Sequence, residues 1–540
     1  MLGNESALAR PDFLAPDGTP MHGVPAEFTL RRPLPQANPT GDQVFRITGP
    51  IVEPPTLDPA LVRDLSSAFL VRLFARGLIV FDAELNPALE LAERLVVSED
   101  GLTYTFTIDP RALFHDGRNV TANDVVFSLT RTMNPATANG QAALLSGPTF
   151  LDSILGAGEL LAGETDTLEG LRAIDQRTVE IRLSRPDAAF TLKLAASATS
   201  IIDPNDVARG GDWWRSPNGT GPFRIAEWQT GQRLVLNRSR TFIDGAPALE
   251  RIEMPVGPNA YGAFNLYQSD RVDVVGISSF DVDRVTAPES SLAPELVQAE
   301  LFSTEYIAFR TDVAPMDDPI VRKAVAMAFP RDKIANVMFG GHVTVAEGIV
   351  PDGMLGAEWP VDPIAYDPEG AKALFATSAY ASETELPPIQ IYSTGNGAVA
   401  ALRDEVESKL GLQIDSVIVQ SEEFFDGLAL RQYPAYALYW GADYPDPATF
   451  LQSLFASGSS DNYTDYSNPA FDDLLDQAAQ ERDPALRAEI YLRAQQLLID
   501  DAMVIPTYHD AGYLLVKPWV KGLEYTALGL LQLETIWIER

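Results

Sequence analysis

The chain has 540 residues, 46% hydrophobic and 21% charged, which calls for more than one folded core and excludes a chain disordered throughout. Its formal charge is −35, from 75 acidic and 40 basic residues, of which only seven are lysine. No basic stripe interrupts that acid, and such a surface repels phosphate backbones, so nucleic acid is not expected as a partner. With no cysteine there is neither a disulfide nor a thiolate metal site.

Residues 1–45 are rich in Pro, Gly and Ala with little periodicity and read as an N-terminal extension. They lack a basic region followed by an apolar core, so no export signal is legible, and no later run approaches the roughly 18 apolar residues of a membrane helix. VFRITGP (residues 44–50) predicts a first short strand before the turn-rich EPPTLDP (residues 53–59). From there to about residue 300 two-residue alternation dominates. Leu102, Tyr104, Phe106 and Ile108 share one face of LTYTFTI, and Val179, Ile181 and Leu183 repeat the pattern in TVEIRL. A helical segment, NDVVFSLTR (residues 123–131), interrupts them, so this half mixes strands and helices without strict βαβ order.

Beyond residue 300, helices are expected to start at Asp318-Pro319, Asp367-Pro368, Asn468-Pro469 and Asp483-Pro484. Each pair offers a cap acceptor followed by a proline suited to the first turn. Phe471, Leu474, Leu475 and Ala478 form an apolar stripe on one of the last two helices, and Ile490, Ala494, Leu497 and Leu498 form one on the other. Residues 388–419 read strand, turn, helix, strand, with Gly411 as helix C-cap. A parallel sheet in this half follows.

That unit contains Gly395, Gly397 and Ala400 at the spacing of the dinucleotide fingerprint, but no second nucleotide-binding half surrounds it, and a tight strand-to-helix turn is the better account. His22, His115, His342 and His509 are far apart and form no local metal motif, so no metal or cofactor is expected. There is no nucleophile elbow and no P-loop. Asp443 and Asp446 flank aromatic residues in LYWGADYPDPATFL (residues 438–451), which leaves a glycosidase acid pair conceivable, yet Asp446 between two prolines has the character of a turn and helix-cap residue. Asp443 is a different matter. A carboxylate among Tyr439, Trp440 and Tyr444 is costly unless donors or a cation meet it, or unless it caps the turn before Pro445.

Several segments resemble, in order, the family 5 extracellular solute-binding proteins, the dipeptide- and oligopeptide-binding components of ABC importers. They are TLDP (56–59), GLTYTFTID (101–109), FHDGRNVTANDVVFSLTR (114–131), SPNGTGPFRIAEW (216–228), VRKAVAMAFPRDKI (321–334), YWGADYPDPATFL (439–451) and NYTDYSNPAFDDLL (462–475). The likeness covers about residues 44 to 540. It implies an α/β, two-lobed periplasmic-binding-protein fold of class II, cluster C type. Lobe I with its extra subdomain would span residues 46–300 and return at 508–540, and lobe II would be 301–507. Asp116-Gly117, the GTGP turn at 219–222 and Asp58-Pro59 are then expected to be fold devices and not ligand contacts.

The resemblance also implies a role. It points to a noncatalytic, monomeric binding protein outside the cytoplasmic membrane, periplasmic or extracellular and membrane-associated, which encloses a peptide or another amine-bearing solute by hinge closure and serves a membrane permease. In peptide-binding members the acid matching Asp443 pairs with the ligand ammonium, and the residues before it, here Tyr439, Trp440 and Gly441, contact the peptide backbone. Tyr444 is expected to add aromatic packing. No motif supplies a base for a ligand carboxylate, although Arg403 and Arg431 lie in the same half. The family also holds oligosaccharide binders, in which the aromatic residues would stack on sugar rings; outside the family, a glycoside or peptide hydrolase is the alternative.

Overall fold

The computed structural model describes residues 34, 37, 39–382, 386–395 and 397–540. Most of the N-terminal extension, with His22, lies outside the described residues, and so does Asn396 of the glycine fingerprint. The chain divides into two compact units. One is Met1–Val274 with Lys517–Tyr525 and Leu530–Arg540, and the other is Val275–Val516 with Thr526–Gly529.

In the first unit the strands Val44–Arg46, Arg251–Pro255, Arg233–Arg238 and Phe223–Gln229 form one sheet in that order. Its first pair is parallel and the others antiparallel. A second, antiparallel sheet joins Ala92–Val97, Thr103–Ile108, Thr178–Arg182 and Leu171–Ala173. Alternation decides which face is core: Tyr104, Phe106 and Ile108 are buried, while Thr103, Thr105 and Thr107 stay half-buried. The helix Ala122–Met133 begins with a capping box in which Thr121 and Asp124 satisfy each other's backbone amides.

The turn motifs work as packing devices. A Cβ on Gly219 would sit 1.8 Å from the Phe74 carbonyl oxygen, so only glycine lets these backbones meet. Asp58 is buried and receives Arg131 Nη1 at 2.6 Å. Residues far apart in sequence complete this unit. Thr40 donates its amide to the Ile538 carbonyl at 3.0 Å. The buried Gln43 side chain both donates to and accepts from the Ile538 backbone, at 3.0 Å each. Arg76, also buried, pairs with Glu534 and lies 3.6 Å from Glu90.

The second unit is built on a six-stranded sheet in the order Thr344–Val345, Val504–His509, Ser303–Phe309, Ala435–Gly441, Ile389–Ser393, Ile414–Ile418. The first three pairings are antiparallel and the last two parallel. The helix Gly397–Leu410 makes the connection between the two parallel outer strands, and Gly411 follows it at φ 72°. Ile307, Phe309, Ile391, Ala435 and Ala437 pack one face of the sheet against Val321, Val325, Val399 and Leu402. All four Asp/Asn-Pro pairs start helices: Pro319–Met327, Pro368–Phe375, Pro469–Gln480 and Pro484–Asp500. In each, the preceding Asp or Asn accepts from a first-turn amide.

Candidate ligand-binding site

The central strand Ala435–Gly441 is antiparallel to Ser303–Phe309, with Gly441 opposite Ser303, Trp440 opposite Thr304 and Tyr439 opposite Glu305. The pairing ends there: the next amide, Ala442, donates to the Phe302 carbonyl at 2.8 Å, and the chain leaves the sheet. Successive residues point to opposite faces. Tyr439 therefore stands on the face shared with Ala435 and Ala437, and Trp440 on the other, where its Nε1 donates to the Thr449 carbonyl at 3.0 Å. Tyr439 is 36% exposed, while Trp440 and Gly441 are half-buried.

Asp443 lies just past the strand, held by its amide, which donates to Thr449 Oγ1 at 3.2 Å. Thr449 is wholly buried in the helix Ala448–Phe455, so one hydroxyl and one carbonyl of a single residue orient both Asp443 and Trp440. Among the described residues, the Asp443 carboxylate accepts no hydrogen bond and has no ion-pair partner. Burial, followed by the field of Asp461, pushes its carboxyl up to about 7. This separates Asp443 from its neighbour. Asp446 is fully buried, caps the following helix by accepting from the Ala448 amide at 2.9 Å, and meets Arg487 Nη2 at 3.0 Å. The turn-cap role that competed for Asp443 belongs to Asp446, and an Asp446 so tied down is a poor half of an acid/base pair.

Tyr444 is fully buried and presents no surface in this conformation. Arg431 donates to Asp465 Oδ1 at 2.8 Å and to the Asn462 carbonyl at 3.1 Å, which makes it a structural bridge. Arg403 sits on the helix Gly397–Leu410 with adjacent Asp404 as its ion-pair partner at 3.3 Å. Of the histidines, His115 is held between Gly219 and Gly221, and burial lowers it to about 4. His342 faces Asp283 at 2.8 Å. His509 Nδ1 lies 2.9 Å from Thr304 Oγ1, and burial lowers this ring to about 4 as well. No group of three or more metal-ligating side chains occurs among the described residues.

Sequence reading alone missed a second set of groups around Tyr439. Glu305, 6% exposed, lies between Tyr439 on one neighbouring strand and Tyr508 on the other. Burial, then the field of Asp510, pushes Glu305 up to about 8, and burial also raises Asp510. Glu305 alternates in phase with Ile307 and Phe309, which hydropathy alone reads as a solvated break in a strand. The only signal that could have found it is this polar position in an otherwise buried strand.

The model of the bacterial extracellular solute-binding proteins, family 5 middle, matches residues 86–462. The chain belongs to this family. It is 27% identical over 481 residues to the periplasmic oligopeptide-binding protein OppA of Escherichia coli strain K12, covering 86% of this chain and 87% of that one. It is 26% identical over 465 residues to heme-binding protein A of Haemophilus influenzae, covering 83% of each. The solved structure of the murein tripeptide-binding protein MppA of E. coli superposes with a TM-score of 0.83 at 23% identity, over 93% of this chain and all of that one. The two-lobed fold of these binding proteins is therefore that of this chain, and no helix among the described residues is long and apolar enough to cross a membrane.

Proposed function

We propose that this solute-binding protein captures peptides or a closely related amine-bearing solute outside the cytoplasmic membrane and passes them to the permease of an ABC importer, without chemical turnover. The observation that carries this reading is the Asp443 carboxylate: half-buried, pushed up to about 7, and without a cation among the described residues. An enclosed carboxylate of this kind is stabilised by an arriving ammonium group, which supplies the missing charge. The strand end beside it suits a peptide backbone, because the sheet pairing stops at Gly441 and Tyr439 and Trp440 stand on opposite faces there. The names of the relatives, for an oligopeptide and for a murein tripeptide, agree with this class; the haem-binding relative at similar identity makes a direct test necessary.

Native mass spectrometry of the purified protein, followed by calorimetric titration with free-amine and N-acetylated tripeptides and with oligosaccharides, tests the reading. Binding of free-amine peptide without hydrolysis, weakened by acetylation, is the expected outcome. Equal affinity for the acetylated peptide removes the role of Asp443. Binding confined to sugars, or release of cleaved product, overturns the reading in favour of an oligosaccharide binder or a hydrolase.

A further inference from the structure

Beside Tyr439 the second unit carries aromatic rings that the backbone contacts above do not use. Phe280, 63% exposed, stacks on Phe339 with ring centroids 5.0 Å apart and planes at 27°. Phe339 in turn packs against Tyr508 at 4.6 Å. Tyr508 and Tyr439 stand on the two strands that flank Glu305, so the rings lead from a solvent-exposed edge to the end of the candidate site. Phe280 therefore presents an open ring face, backed by a half-buried ring, on which a further ring can stack.

Three local irregularities hold the rings in this array. The turn Ile334–Met338 is a π-helix, a rare form that delivers Phe339 out of helical phase. Gly340 and Gly341 follow at φ 62° and 80°, so the chain turns away as soon as the ring is placed. On the other side, the register between Ser303–Phe309 and Val504–His509 shifts at Glu305/Tyr306, and Thr507 Oγ1 in the displaced stretch donates to the Glu305 carbonyl at 2.7 Å. That bulge turns Tyr508 onto the face of Glu305 and Tyr439. Phe280 is set by its own short turn, in which its amide donates to Ser278 Oγ at 3.3 Å.

We propose that Phe280, Phe339 and Tyr508 form an aromatic shelf that receives an uncharged, planar side chain of the captured solute, so that this chain prefers ligands bearing an aromatic residue. This rests on the peptide reading above. Stacking on such a shelf covers the exposed Phe280 face and adds ring-to-ring contact beyond the area removed from water. Glu305 at its inner end, pushed up to about 8 by burial and then by the field of Asp510, holds its proton to higher pH than an ordinary carboxyl, which suits an apolar guest over an anionic one.

The test uses the full chain and four probes, Ala-Ala-Ala, Phe-Ala-Ala, Ala-Phe-Ala and Ala-Ala-Phe, with the matching lysine peptides as controls. At pH 7, one phenylalanine position is expected to bind about tenfold tighter than trialanine, with no such gain for lysine at that position. In Phe280→Ala that ratio collapses toward one, and in Phe280→Tyr it is retained. Phe280 is exposed, so the alanine variant keeps its fold, which circular dichroism verifies. A gain for lysine over phenylalanine, or a phenylalanine gain that survives Phe280→Ala, overturns the shelf and leaves the peptide reading standing. If no tripeptide binds, the peptide reading falls, and N-acetylphenylalaninamide, a ring without a free amine, judges the shelf alone: shifted Phe280 resonances in NMR support it, and unshifted ones overturn it.

Discussion

At the scale of single residues, the role proposed for Asp443 predicts both affinity and its dependence on pH. Asp443→Asn keeps the shape but removes the charge, and losing one partner of an enclosed ion pair costs about 2–5 kcal/mol, or on the order of 30- to several-thousand-fold in affinity. N-acetylation of the peptide deletes the same contact, so it adds little further loss in the variant; calorimetry of the four combinations reads that coupling. Because the free carboxyl titrates near 7 and must be ionised to pair, affinity falls as pH drops below about 7. It falls again above about 8, where an α-amino group loses its proton. Titrations at pH 5, 6, 7, 8 and 9 are expected to trace this bell, with its acid limb absent in Asp443→Asn. Stability of the free protein runs the opposite way to that of an ion-paired acid. Folded Asp443 holds its proton from 3.8 up to about 7, and Glu305 from 4.5 up to about 8. Across those windows the folded chain binds more protons than the unfolded one, so stability decreases as pH rises. Thermal melts of Asp443→Asn and Glu305→Gln between pH 4 and 8 are expected to show a shallower decline than the parent.

At the scale of elements, the helix Ala448–Phe455 is the part on which the site leans. Its Thr449 orients Asp443 and Trp440, and its start is fixed by Asp446, whose charge is met by Arg487 on the helix Pro484–Asp500. Removing one member of a buried pair leaves the other charge uncompensated, so Arg487→Met is expected to cost about 3–5 kcal/mol in urea unfolding, while the double change to Asp446→Asn and Arg487→Met recovers part of it. This pair also marks where sequence reading stops. The four Pro-started helices, the alternating strands and the parallel unit around Gly397–Leu410 were legible, because caps, period and turn residues are local. On Pro484–Asp500 the apolar stripe captured Ala494 and Leu498 but not Arg487, Tyr491 and Gln495, which are buried on the same helix. Their burial depends on partners elsewhere, such as the Val350 amide that donates to Gln495 at 2.7 Å, and no window of sequence displays such a partner. At the site, likewise, the strand end and Asp443 were readable from one motif. Tyr444 was not separable from its half-buried neighbours; Glu305 and Tyr508 meet only through strand pairing, and Phe280 reaches them only by stacking on Phe339.

At the scale of the whole molecule, the proposed capture is an equilibrium between conformations of two units, and a solute shifts it only by its differential affinity for the closed form. Small-angle scattering with a tripeptide that calorimetry shows to bind is expected to report a smaller radius of gyration at saturation; an unchanged value would count against hinge closure. The same division has a consequence in time. The second unit is nearly continuous in sequence, whereas the first is interrupted by it and is completed only by Lys517–Tyr525 and Leu530–Arg540. Gln43 must wait for Ile538, 495 residues later, and Arg76 for Glu534, 458 residues later. During vectorial synthesis or threading through a pore, the half that emerges first therefore closes last, with Arg76 beside Glu90 but without its second partner, Glu534, until the final stretch arrives. A chain ending before residue 530 should accordingly expose its first unit to protease while its second unit resists, and the last few residues act as the latch that ends a long, protease-sensitive interval.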